Sequence, residues 1–127
     1  MTDQPGKLIL IVDDVAAVRL LIQLALNRAG FETVTAPNGR SVVRMCQEQP
    51  ISLIITDLVM PDIHGFEMIA AVRRDFPKLP IIAISGMVTD QLGTAAMLGA
   101  NATLEKPLDL QRLIRTVRTL LESDECP

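Results

Sequence analysis

Five short runs rich in apolar and β-forming residues, each ended by polar or turn-forming residues, alternate along this chain with stretches of helical periodicity. Leu8–Val12, Phe31–Ala36, Leu53–Ile55, Pro80–Ile84 and Ala102–Leu104 are the runs. A continuous apolar run such as Leu8–Val12 fits a strand covered on both faces, as in a parallel sheet, while Phe31–Ala36 alternates and is rich in β formers. Between them, Val15, Val18, Ile22, Ala25, Leu26 and Ala29 predict a first helix closed by Gly30. Arg40–Gln49 predicts a second helix closed by Pro50, and Phe66, Ile69, Ala70 and Phe76 mark one side of a third, stopped by Pro77. Residues 89–98 predict a weaker fourth helix with Gly93 inside it and Gly99 at its end. Asp109 is the expected N-cap of a fifth, whose stripe is Leu110, Leu113, Ile114, Val117, Leu120 and Leu121.

Strict βα alternation predicts an α/β fold, one doubly wound parallel sheet of five strands with five helices on its two faces. With 127 residues the chain reads as a single domain, 1–127, with a core from about residue 7 to about residue 121 and short tails. Ligands of such sheets sit at the carboxyl ends of the strands, so the residues there decide the function. Strand one ends in Asp13 and Asp14, strand three in Asp57, strand four in Ser85 and strand five in Lys106.

Three carboxylates on one rim repel one another. Lys106 supplies one positive charge, and a divalent cation would bring the set to zero. Mg²⁺ suits an all-oxygen site that keeps several waters. Asp57 and a backbone carbonyl of its loop, with one or both of Asp13 and Asp14, would hold it. The chemistry expected is attack by the Asp57 carboxylate on phosphorus, giving an aspartyl phosphate. Lys106 and the Ser85 hydroxyl would then stabilise charge on the transferred group.

Composition removes other classes. Net charge is −3, and among aromatics there are three Phe, no Tyr and no Trp. Phosphate-backbone binding by this domain is therefore not expected, nor are stacking platforms for single-stranded nucleic acid or a flavin sandwich. Cys46 and Cys126 show no metal-ligand spacing and read as reduced thiols. No stretch has the length of a membrane span or the pattern of a signal peptide, so the expected location is the cytoplasm.

The set Asp13-Asp14, Asp57-Leu58-Val59-Met60-Pro61, Ser85-Gly86 and Lys106-Pro107 resembles the receiver domain of bacterial two-component response regulators, from Lys7 to about Leu121. The resemblance implies a flavodoxin-like sheet of order 2-1-3-4-5 and Asp57 as phosphoryl acceptor. It implies Mg²⁺ held by Asp14, Asp57 and the Val59 backbone carbonyl with Asp13 assisting, and a cis Lys106–Pro107 bond. It also implies a sensor histidine kinase or phosphotransfer protein as donor. The output would be a changed surface on the predicted fourth helix, fifth strand and fifth helix, for a downstream protein partner or a homodimer. Such a protein is a switch and not an enzyme in the usual sense. The competing function is a receiver-like interaction module that works without phosphate, since Thr103 stands where receivers usually carry an aromatic. Val59 and Met87, apolar where the family flanks the hydrolytic water, predict slow loss of the phosphoryl group. A lifetime of seconds would count against that expectation.

Overall fold

The computed structural model describes residues 7–58, 65–85 and 99–125. The predicted helix over 89–98 lies outside them, as do Val59 and Met87. The sheet contains five parallel strands: β1 (Leu8–Val12), β2 (Glu32–Ala36), β3 (Leu53–Asp57), β4 (Ile81–Ser85) and β5 (Ala102–Glu105). Their order is β2-β1-β3-β4-β5, as the resemblance implies. Four helices are described: α1 (Ala16–Arg28), α2 (Val42–Glu48), α3 (Gly65–Asp75) and, after β5, α4 (Leu110–Glu125).

Because side chains alternate across a strand, the three central strands β1, β3 and β4 feed two cores, while the edge strands β2 and β5 each face one. Leu10, Val12, Ile54, Ile81 and Ala83 pack with Val42 and Cys46 of α2 and Met68, Ile69 and Val72 of α3. Ile9, Ile11, Leu53, Ile55, Ile82 and Ile84 pack with Ile22 and Leu26 of α1 and Leu113, Val117 and Leu121 of α4. This is the physical reason the runs Leu8–Val12, Leu53–Ile55 and Ile81–Ile84 are apolar without interruption: neither face of the central strands meets water, whereas β2 and β5 carry Glu32, Thr33, Thr103 and Glu105.

The helix ends follow their sequence signals. After α1, Gly30 has φ 99°, its N–H bonds to Asn27 O at 3.1 Å and Phe31 N–H bonds to Leu26 O at 3.0 Å. That pair of bonds closes the helix with a left-handed glycine, and Leu26 and Phe31 are both buried. At the start of α4, Asp109 Oδ1 accepts from the N–H groups of Gln111 and Arg112 at 3.0 and 3.2 Å, the bonds expected of an N-cap.

Two expected helix faces need correction. Val15 was placed on the buried stripe of α1, yet it is exposed; it occupies the N-cap position with extended backbone, so its side chain leaves the helix face. On α3, Ala70 is exposed while Met68 and Val72 are buried beside Ile69. The inward stripe is therefore rotated from the one expected, and the side chain of Phe66 is not described. α2 is also shorter than the expected span, starting at Val42.

Register brings the strand tips level. Val12 pairs with Ala36 and Thr56, Asp57 with Ile84, and Ser85 with Glu105. Asp13, Asp57, Ser85 and Lys106 consequently leave the sheet at one edge.

Candidate functional site

The residue at the tip of the central strand is Asp57, whose side chain is only 8% exposed. Lys106, one residue beyond β5, reaches across β4 and donates from Nζ to Asp57 Oδ2 at 3.0 Å. Its side chain is about two-thirds buried. The preceding strand bonds fix this reach: Leu58 N–H donates to Ile84 O at 3.1 Å and Lys106 N–H to Ser85 O at 2.9 Å. Thr56, fully buried, donates its hydroxyl to Asp57 O at 2.8 Å and so stays satisfied inside the core. The Lys106–Pro107 peptide bond is cis.

Asp13 and Asp14 complete the set from the end of β1. Asp13 is buried and Asp14 exposed, and one carboxylate oxygen from each of Asp13, Asp14 and Asp57 lies within 4.8 Å of the others. Asp13 Oδ1 accepts from Val15 N–H at 2.9 Å, and its carbonyl accepts from the Arg19 guanidinium at 2.7 Å. The turn from β1 into α1 is thereby held on both sides of Asp13. Burial pushes the Asp13 carboxyl above the usual carboxylate range; the Val15 bond opposes this, and Asp57 adds to it. Burial works against the Lys106 ammonium, but the hydrogen bond and charge of Asp57, with Asp13 and Asp14 nearby, outweigh it and raise its pKa. Ser85 is buried at the end of β4, one residue past the partner of Asp57.

The arrangement thus concentrates three carboxylates against one ammonium at the carboxyl edge of a parallel sheet. A family model, the response regulator receiver domain, matches residues 9–118. The chain belongs to this family. Over 95% of its length the receiver is 36% identical to the DNA-binding transcriptional regulator NtrC of Bradyrhizobium sp. (strain RP501 Parasponia), covering 26% of that protein. It thus spans about a quarter of the length of that relative. Among solved structures it resembles the chemotaxis protein CheY4 of Vibrio cholerae, at 29% identity and TM-score 0.83, over 90% of this chain and 98% of that one. It also resembles a beryllofluoride-activated NtrC4 receiver domain dimer, at 27% identity and TM-score 0.86, over 93% and 98% of the two chains. Receivers are signalling switches, and this one carries the fold and the acidic cluster of its family.

The sequence-predicted residues Asp13, Asp14, Asp57, Ser85 and Lys106 all reach the same edge. The Val59 carbonyl lies outside the described residues. Thr103 sits half-buried on β5, paired with Ala83. Met68 is core, and Met45 packs against it.

Two other residues that hold this half of the sheet carried no recognisable signal. Arg73 of α3 donates to Phe76 O at 3.2 Å, Pro77 O at 2.8 Å, Gly99 O at 2.6 Å and Asn101 Oδ1 at 2.9 Å. Asn101 Oδ1 also accepts from Ile81 N–H at 2.9 Å. One guanidinium therefore ties the end of α3 to the entries of β4 and β5. Gly99, at φ 118°, lets it approach: a Cβ there would lie 2.9 Å from Arg73 Nε.

Proposed function

We propose that the receiver takes a phosphoryl group onto Asp57 and uses it to change state, with Lys106 and Ser85 as the residues that respond. Support comes chiefly from the Lys106–Asp57 contact of 3.0 Å beside a cluster of three carboxylates. The Asp57 oxygen forms the new O–P bond as the N–P bond of a phosphohistidine on a sensor kinase or phosphotransfer protein breaks. The leaving imidazole keeps its electron pair. Asp57 is shielded from bulk water, which suits a nucleophile whose lone pair must meet phosphorus and not solvent. Lys106 already touches one Asp57 oxygen, so its ammonium is placed beside charge that develops on the transferred group. The Ser85 hydroxyl, able to rotate, donates to another phosphoryl oxygen.

Mg²⁺ fits the donor set. Ligand oxygens of one Mg²⁺, at bonds near 2.1 Å, stand no more than about 4.2 Å apart, and the three carboxylates already lie within 4.8 Å of one another. Asp13, Asp14 and Asp57 would hold it with the Val59 carbonyl. The ion supplies positive charge that offsets phosphoryl oxygens at the same edge. The phosphorylated state then presents a different surface on residues 89–98, β5 and α4 to a downstream protein or to a second receiver. A relative solved as a beryllofluoride-activated receiver dimer supports the second alternative for that protein.

Labelling with a small acyl phosphate tests the reading. Wild type should incorporate phosphate in Mg²⁺, and Asp57→Asn should not. Incorporation in Asp57→Asn at the wild-type level would remove Asp57 from the acceptor role. Partner binding that is equal in wild type and Asp57→Asn would favour an interaction module that ignores phosphate.

A further inference from the structure

The seam between α1 and α4 carries a charge opposite to the protein around it. A groove of about 550 Å³ runs along it, lined by Ala25, Ala29, Gln111 and Ile114 together with Arg28, Arg115 and Arg118. The chain has 15 Asp and Glu against 12 Lys and Arg, yet among the described residues no acidic one lines this groove. Neither Arg28 nor Arg115 has an acidic partner among the described residues. Arg118 leans across the seam to Ala29 O at 3.4 Å. Just above, α1 leaves Leu20, Leu21 and Leu24 about half exposed, at 54%, 53% and 49%. Leu21 and Leu24 lie one helical turn from Ala25 and Arg28 and so add exposed apolar surface beside the groove.

A groove lined by apolar side chains and guanidiniums recognises apolar side chains flanked by carboxylates. A nucleic acid fits poorly, because phosphates gain nothing from exposed leucines and the whole chain is negative. A second copy also fits poorly. A two-fold interface sets the same patch on both sides, so the guanidiniums of one copy would meet a groove that offers them no carboxylate. We propose that the α1–α4 groove docks an acidic amphipathic segment of a second protein. Its carboxylates meet Arg28 and Arg115, and its apolar side chains cover Leu21, Leu24, Ala25 and Ile114.

An NMR titration of the unphosphorylated chain tests this apart from any phosphoryl chemistry. The probe is a short synthetic amphipathic helix of Leu and Glu, with a Leu and Lys counterpart as control. The Glu helix should shift amides at 21–29 and 111–118 and bind less tightly as salt rises. Arg28→Glu/Arg115→Glu should weaken it about tenfold or more, as two attractive contacts turn repulsive. Arg28→Gln/Arg115→Gln should weaken it less. Circular dichroism spectra and thermal midpoints like those of wild type would confirm that the variants fold. Three outcomes overturn the proposal: no shift at these amides, equal binding of the Lys helix or of a DNA duplex, or dimerisation of wild type that the double variant abolishes.

Discussion

Asp13→Asn should make the metal-free protein more stable while depriving it of Mg²⁺. Asp13 is buried, and its carboxylate lies within 4.8 Å of those of Asp57 and Asp14. At an effective dielectric near 20, two unit charges 4.8 Å apart repel by about 3.5 kcal/mol. Asp14 is exposed and its share is largely screened, while Lys106 returns part of the Asp57 share. Asparagine keeps an oxygen to accept the Val15 N–H and removes the charge. The net gain should be about 1–2 kcal/mol, or roughly 4–8 °C in thermal midpoint for a chain of this size. Mg²⁺ should reverse the ranking, since ligand at a hundredfold excess over Kd adds about 2.7 kcal/mol to a protein that binds it. Thermal unfolding followed by far-UV circular dichroism, in EDTA and then in MgCl₂, reads both effects. The reasoning fails if Asp13→Asn melts lower than wild type in EDTA, or if it gains as much from Mg²⁺.

Gly99→Ala should cost about 1–3 kcal/mol in chemical denaturation, because the new Cβ meets Arg73 Nε at 2.9 Å and φ is 118°. A neutral result would mean that the Arg73 bridge yields freely. Asp109→Ala removes the side-chain acceptor at the start of α4 and should lower stability by about 1 kcal/mol, with Asp109→Asn close to wild type. Burial pushes the Cys46 thiol up to about 11. Unfolded thiols ionise near 8.5, so unfolding releases a proton between these values, and stability should fall as pH rises through that window and not below it. Cys46→Val should flatten that decline, and native Cys46 should react slowly with thiol reagents.

The fold was legible because the three central strands are apolar on both faces and every break carries Gly, Pro or a polar pair. Asp13, Asp57 and Lys106 were legible for a related reason: each stands directly after an apolar run or within two residues of its end, so placing the strands placed the residues. Helix faces were harder to read. Apolar residues on α1 outnumber the positions that the sheet can cover, and Leu20, Leu21 and Leu24 remain outside. On α3, Ala70 and Val72 both look eligible for the core, and packing against α2 and β4 selects Val72. Arg73 and Asn101 were invisible for another reason. Their work is to satisfy backbone oxygens and an N–H from elements far apart in sequence, and no local pattern announces such a long-range bond.

The backbone bond from Lys106 to Ser85, at 2.9 Å, sits where β4 and β5 are still zipped together. The side chains of Lys106 and Ser85 are thus carried on one hydrogen-bonded pair of strand ends, like two prongs of a single fork. In the proposed mechanism, whatever pulls one prong drags the other, and the handle of that fork is the outermost strand of the sheet. Local chemistry at the rim then reaches the flank of the molecule without a relay of side chains, which is how a position such as Thr103 need not carry an aromatic for news of the phosphate to travel.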